Sequence, residues 1–294
     1  MKIIECAEIE YRLRPEINAS RLALAFKSIR HFNDNIGPGV TDAMRVGTAL
    51  HMAALEPGKF KSNYVVEPEE IEAPIRVKKG SKTIETDDWA LQPLNKKIPK
   101  HRELIAKWRQ EHASSFILTQ DEMGNLTGML ESLTEEMARD TPGIGLSDII
   151  NKGSQFEVAA IGDYKGIPTK GRADIITTIG GKRIVVDLKK TVSAHPDDFN
   201  RKVFNLHYDL QAAFYKHLFK ADEYYWVAVE EKPTSTGKHP IGIYDAIHYL
   251  DIGQKKMDHL FEKIKQGGNH WFTNGVEPLV PASWMAAMYG EQVI

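Results

Sequence analysis

The sequence predicts an α/β protein, a mixed sheet flanked by helices. Residues 172–178 and 183–188 are rich in Ile, Val and Thr, and Gly180-Gly181 lies between them. That is the pattern of two short strands joined by a tight turn. Tyr224–Val229 and Tyr244–Tyr249 read as further strands, and stretches of helical periodicity lie before and between them. The resulting order α-α-…-β-β-β-α-β-β-α suits a sheet covered by helices.

Each element has its own signal. Asn18 or Ser20 can cap a helix continuing through Leu22, Leu24, Phe26 and Ile29. Thr41 or Asp42 caps the next, roughly 43–56, which puts Gly47 and His51 on one face at four-residue spacing. Residues 57–100 read as irregular, punctuated by Pro57, Pro68, Pro74, Pro93 and Pro99. A short helix is expected over 100–112. Another runs from Thr119-Gln120-Asp121-Glu122, which has capping-box spacing, to about Arg139. Gln155–Ile161 reads as a strand, with Gly162-Asp163 as the turn before the hairpin. A helix over 206–220 sets Gln211 and Tyr215 on one face, and Asp251 caps a last helix through Gln266.

At 294 residues and 42% hydrophobic, the chain can bury a full core, and 1–294 reads as one enlarged domain with an irregular basic insertion around 57–115. It holds no apolar run of the roughly 18 residues a membrane span requires. The N-terminus, Met1-Lys2-Ile3-Ile4-Glu5-Cys6, lacks the pattern of a signal peptide. One cysteine, Cys6, excludes an internal disulfide framework and a cysteine-ligated zinc or iron–sulfur site. A cytoplasmic location is the expectation. The net charge is −2, but it is unevenly spread. Arg76–Arg109 holds ten Lys/Arg against four Asp/Glu, whereas Thr119–Asp148 holds seven acids against Arg139 alone. A local basic segment can attract a phosphate backbone even in a nearly neutral protein.

The chemistry concentrates on the hairpin. Asp174 falls on its first strand, and Asp187 and Lys189 fall on the second, two apart and therefore on one face. Two carboxylates beside a lysine form a compact site for a hard divalent cation, Mg²⁺ with Mn²⁺ as a substitute. Phosphodiester hydrolysis needs that combination, because the phosphate is anionic and the attacking water needs activation. The Leu188 carbonyl lies between ligand and lysine as a further oxygen. His51 and Glu157 are candidates to complete the shell. A cation beside Lys189 would lower its pKa, fitting it to orient or deprotonate the water. Gln211 and Tyr215 are placed to hydrogen-bond phosphates or fix the water. Arg172 can contact the phosphate or pair with Glu157, and the pairing is favoured.

In this order, Gly47-Thr48-Ala49-Leu50-His51, Glu157, Gly171-Arg172-Ala173-Asp174, Asp187-Leu188-Lys189-Lys190-Thr191 and Gln211-Ala212-Ala213-Phe214-Tyr215 resemble the PD-(D/E)XK nuclease superfamily. More narrowly they resemble its RecE-type, RecB-like phage exonuclease branch, with Asn18-Ala19-Ser20 resembling that family's opening helix. The match spans roughly 18–265. Two departures stand out: Ala173 replaces the superfamily's proline, and Asp187 stands where many relatives have glutamate.

The resemblance implies a restriction-endonuclease-like sheet of four to five strands and Mg²⁺-dependent digestion of double-stranded DNA from its ends, 5′ to 3′. It implies a homo-oligomeric ring around DNA and a single-strand annealing protein as partner, in a phage or bacterial cytoplasm. Arg12, Arg14 and Ser20 become candidates for holding a 5′-phosphate. The alternatives are an endonuclease of the same superfamily and a catalytically silent module that binds DNA ends.

Overall fold

A computed structural model describes residues 1–6, 8–37, 39 and 41–268; residues 269–294 of the expected domain lie outside them. The chain opens with strand β1 (Lys2–Ile4) and helix α1 (Glu8–Leu13), neither of which has a clear sequence signal. Asn18 then caps α2 (Ala19–Lys27), accepting from the Arg21 N–H at 2.8 Å. The expected run through Ile29 stops at Ser28. Its backbone is extended, and its hydroxyl accepts from the His31 N–H at 3.1 Å to start α3 (Ile29–Asn33). Thr41 caps α4 (Asp42–Leu55).

The segment expected to be irregular is ordered. It forms α5 (Pro57–Asn63), β2 (Tyr64–Val66), β3 (Glu70–Lys79), β4 (Lys82–Pro93), α6 (Pro99–Glu111) and β5 (Phe116–Leu118). The prolines read as breakers are boundary residues. Pro57 and Pro99 open helices, where a fixed φ and a missing N–H cost nothing. Pro74 sits at the register shift of the β3–β4 hairpin, and Pro93 closes it. Buried Glu67 ties the segment together, accepting from Lys96 at 2.7 Å and from Arg109 Nε at 2.6 Å.

The Thr119–Glu122 capping box starts α7 (Gln120–Met137) as expected, and a short α8 (Leu146–Ile149) follows. Then come β6 (Gln155–Tyr164), β7 (Ile167–Ile179), β8 (Lys182–Thr191), α9 (Pro196–Asn205), α10 (Tyr208–Phe219), β9 (Glu223–Glu230), β10 (Ile241–Asp245) and α11 (Ile247–Gln266). Two expectations shift here. Gly162-Asp163 is not a turn: β6 continues to Tyr164, and the reversal falls at Lys165 and Gly166, with φ of 51° and 84°. Gly162 is needed inside the strand because a Cβ there would lie 2.8 Å from Leu218 Cδ1 of α10. The strand expected over Tyr244–Tyr249 ends at Asp245, whose Oδ1 accepts from the Ile247 N–H at 2.9 Å. That contact begins α11, so Asp251 lies within the helix rather than capping it.

The main sheet has the order β1-β6-β7-β8-β9-β10, six strands where the resemblance implied four or five. Within this sheet, among the described residues, only β8 and β9 pair in parallel, and α9 and α10 supply the crossover. Both faces of the sheet are covered. Along β9, Tyr224, Trp226 and Ala228 join the core cluster with α2, α9, α10 and α11, while Tyr225, Val227 and Val229 join the cluster with α4, α7 and α8. This two-sided burial explains the continuous apolar run of β9. Among the described residues, no helix is long and apolar enough to cross a membrane.

Candidate active site

The site lies where adjacent strands stop pairing. The β7–β8 ladder runs from Ile179↔Lys182 to Ile175↔Val186 and ends there. Asp174 and Asp187 are the next residues on either strand. Instead of a further rung, the Leu188 N–H donates to Asp174 Oδ2 at 2.8 Å. On the other side, the β6–β7 register is continuous from Phe156↔Ile175 to Val158↔Ala173, and Glu157 and Asp174 form the unpaired rung between. Glu157 adopts φ of 50°, a left-handed conformation that costs a non-glycine residue on the order of 1–3 kcal/mol. Glu157, Asp174 and Asp187 therefore occupy one row across three strands.

Helix α4 brings His51 to this row, with Nδ1 3.4 Å from Asp174 Oδ2. Ligand atoms of His51, Glu157 and Asp174 all lie within 4.8 Å of one another. Burial alone would lower the His51 pKa, but the charge and hydrogen bond of Asp174 override it and raise it to about 9. For Asp174, burial is outweighed by His51, and the carboxyl is held below its ordinary value. Burial and the Asp174 charge push Glu157 upward. The His51 charge opposes that rise. Arg172 Nε lies 2.9 Å from Glu157 Oε2, so the favoured pairing of these two residues is present.

Asp187 stands beside the trio rather than within it. Its Oδ1 accepts from Gln211 Nε2 at 3.2 Å, and its Oδ2 lies 2.6 Å from Lys189 Nζ. That Oδ2 is buried without an aligned hydrogen bond. Burial drives the Asp187 carboxyl up to about 6, against the pull of Lys189. Lys189 also donates to Gln211 Oε1 at 3.1 Å, so the amide bridges acid and lysine. Burial acts to lower the lysine, yet Asp187 holds its pKa above the ordinary value. The expected fall requires the like charge of a cation. A trio of N and O donors, with a poorly satisfied carboxylate oxygen beside it, fits a hard divalent ion.

Two tyrosines complete the surroundings and were not singled out in the sequence. The Tyr208 ring faces Lys189 Nζ at 4.5 Å. Its signal was its position three residues before Gln211 on the same helix, which places the two on one face. Tyr11 of α1 lies against Arg172, with Cζ 5.4 Å from the ring centroid. Buried Lys170 fixes α1 there, donating to the carbonyls of Tyr11 at 2.8 Å and Arg14 at 2.6 Å. No local pattern announces that contact.

The remaining candidates are less closely gathered. The Tyr215 ring packs on Phe219 and against Gly171, where a Cβ would lie 3.1 Å from Tyr215 Cε1. Burial raises its hydroxyl pKa. The Leu188 carbonyl belongs to the residue whose N–H serves Asp174. Arg14 is ion-paired with Glu16, while Arg12 and Ser20 are exposed on α1 and the first turn of α2.

Comparison with known proteins gives the family and the fold. The model of a family described as a PDDEXK-like domain of unknown function (DUF3799) matches residues 25–271. A solved structure from Eubacterium rectale, described as a "Putative exonuclease", shares the fold over 98% of this chain and 99% of its own. The TM-score is 0.55 and the identity 13%. A second structure, SSO0001, covers 52% of this chain and 69% of its own at 18% identity, and its TM-score of 0.27 carries no argument. No curated protein matches the sequence. The superfamily resemblance therefore holds, and the chain belongs to the PDDEXK-like family DUF3799.

Proposed function

We propose that this chain is a Mg²⁺-dependent exodeoxyribonuclease that degrades linear double-stranded DNA from its ends, 5′ to 3′, in recombination by single-strand annealing. One observation carries the reading. Three donors, His51, Glu157 and Asp174, converge within 4.8 Å beside an ammonium group held 2.6 Å from a further carboxylate. The PDDEXK-like family supports a nuclease, and the end-directed activity rests on the resemblance of the ordered motifs to the RecE-type exonuclease branch. The Eubacterium rectale protein that shares the fold carries an exonuclease description.

In this reading His51, Glu157 and Asp174 hold the metal, with Asp187 and the Leu188 carbonyl as neighbouring oxygens. A bound divalent cation supplies positive charge for the phosphate oxygens and acidifies water at the site. Lys189 orients the attacking water and adds a second positive charge toward the phosphate. Gln211 keeps Asp187 and Lys189 in fixed relation, which spares the site reorganisation during reaction. Tyr215 and Arg172 border the strand, and Arg12, Arg14 and Ser20 receive the 5′-phosphate. The working form is a homo-oligomeric ring, and a single-strand annealing protein takes up the exposed strand.

The test is digestion of linear and covalently closed circular duplex DNA with Mg²⁺, with EDTA and Lys189→Ala controls. The linear substrate carries a 5′-phosphate on one strand only. Loss of that strand alone, from linear DNA alone, supports the proposal. Cutting of the circle makes the protein an endonuclease. End binding without digestion makes it a silent module.

A further inference from the structure

The β3–β4 hairpin has no role in the site. Its root is held to the body, where Ala73 and Pro74 are buried, and the Leu94 N–H closes the hairpin by donating to the Glu69 carbonyl at 2.8 Å. Beyond Pro74 the ribbon stands free. Residues 75–79 are all exposed, a length of about 16 Å at strand rise. The Thr86 hydroxyl donates to the Ile75 carbonyl at 3.1 Å, bracing the register shift from which the free part extends. Gly80, with φ of 65°, opens a two-residue turn at the tip.

Charge is segregated along this ribbon. Arg76, Lys78, Lys79 and Lys82 all lie within seven residues at the tip, with no acid among them. Among the described residues none of the four makes an ion pair. Of the six other cations of Arg76–Arg109, four are ion-paired: Lys96 and Arg109 with Glu67, Lys100 with Glu103 and Lys107 with Glu111. Most of the charge on α6 and its approach is thus paired, whereas on the ribbon Arg76 stands opposite Glu85 and Lys78, Lys79 and Lys82 stand opposite no acid. The register Lys78↔Thr83 and Lys79↔Lys82 places cations on both faces of the tip.

We infer that the tip of this ribbon grips the phosphate backbone of duplex DNA away from the cleavage site, and sets affinity rather than chemistry. The inference rests on the nuclease reading above. A two-stranded antiparallel ribbon has the width that a major groove of about 12 Å admits. Cations on both faces match the two phosphate walls of a groove. A second copy of the chain fits worse, because pairing two such tips brings like charges face to face.

The test compares the protein with a variant carrying Arg76→Gln, Lys78→Gln, Lys79→Gln and Lys82→Gln. These positions are exposed, and thermal unfolding of the variant verifies an intact fold. Duplex affinity is measured by fluorescence anisotropy in Ca²⁺ from 50 to 200 mM salt, and turnover in Mg²⁺. Four lost phosphate contacts flatten the log–log salt slope by about 3.6, so wild type loses roughly a hundredfold more affinity than the variant over that range. KM rises while kcat at saturating DNA is unchanged. The charge-conserving variant Arg76→Lys, Lys78→Arg, Lys79→Arg and Lys82→Arg keeps the wild-type slope.

An unchanged slope overturns the inference and leaves the nuclease reading intact. A lost slope in a protein that binds but never cuts DNA supports the ribbon and overturns the nuclease. A change in sedimentation mass with unaltered DNA affinity makes the ribbon a self-association arm and also overturns the inference. Absence of DNA binding by wild type overturns both.

Discussion

Leu188 donates its backbone N–H to Asp174 Oδ2 at 2.8 Å, across the point where β7 and β8 stop pairing. The bond replaces a ladder rung with a fixed carboxylate. It orients Asp174 toward His51, 3.4 Å away, and leaves room between strands for the other donors.

Asp174 is shared by His51, Glu157 and Leu188, so Asp174→Ala dismantles the donor trio. Mn²⁺ stabilises wild type by mass action, about 2.7 kcal/mol at a hundred times Kd, and this gain disappears in the variant. Thermal unfolding with and without Mn²⁺ measures it. Equal shifts in both proteins remove Asp174 from the metal site.

His51 makes metal binding depend on pH. Its pKa in the folded protein is about 9, above the ordinary histidine value. Below the unfolded value of about 6.5 its charge stabilises the metal-free fold fully, and that contribution fades as pH rises through 9. Metal must displace this proton, so Mn²⁺ affinity climbs between pH 7 and 9. Calorimetry in buffers of different ionisation enthalpy reads the released proton. His51→Gln releases less, and equal release in both proteins excludes His51 as its source.

Lys189 and Tyr208 separate chemistry from positioning. Lys189→Ala lowers kcat by about 10²–10⁴ with DNA affinity retained. Tyr208 supplies a ring face to the Lys189 ammonium at 4.5 Å, a contact worth about 1–2 kcal/mol when desolvated. Tyr208→Leu therefore lowers kcat about tenfold, whereas Tyr208→Phe keeps it. A Phe variant as impaired as Leu assigns the effect to the hydroxyl instead.

Gly171 is a packing requirement of the site rather than a turn residue. A Cβ there would meet Leu218 Cδ2 at 2.7 Å and Tyr215 Cε1 at 3.1 Å. Gly171→Ala overpacks the β7–α10 contact and destabilises by about 1–3 kcal/mol, measured by urea unfolding. A neutral result means that α10 yields at this point.

The sequence by itself determined how Asp174, Asp187 and Lys189 face and much of the frame around them. Asp174, Asp187 and Lys189 were legible because strand alternation and a Gly-Gly turn fix facing over a few residues. Gln211 followed from its place on a helix, and the capping box at Thr119 from three-residue spacing alone. Glu157 and His51 were legible only as candidates, since nothing local ties a strand or helix to a distant hairpin.

Only the tertiary structure decided the rest. The ordered hairpin over 70–93 was hidden because prolines that break one element also begin the next. The Gly162 turn was misplaced because its glycine answers to the approach of α10, a contact more than fifty residues away. Tyr11 reaches Arg172 through the carbonyls that Lys170 holds, and the free charge moved to the hairpin tip because Glu67 claims Lys96 and Arg109. Local rules fix which way a side chain faces along its own element. What it meets there is set by long-range packing, which spacing does not encode.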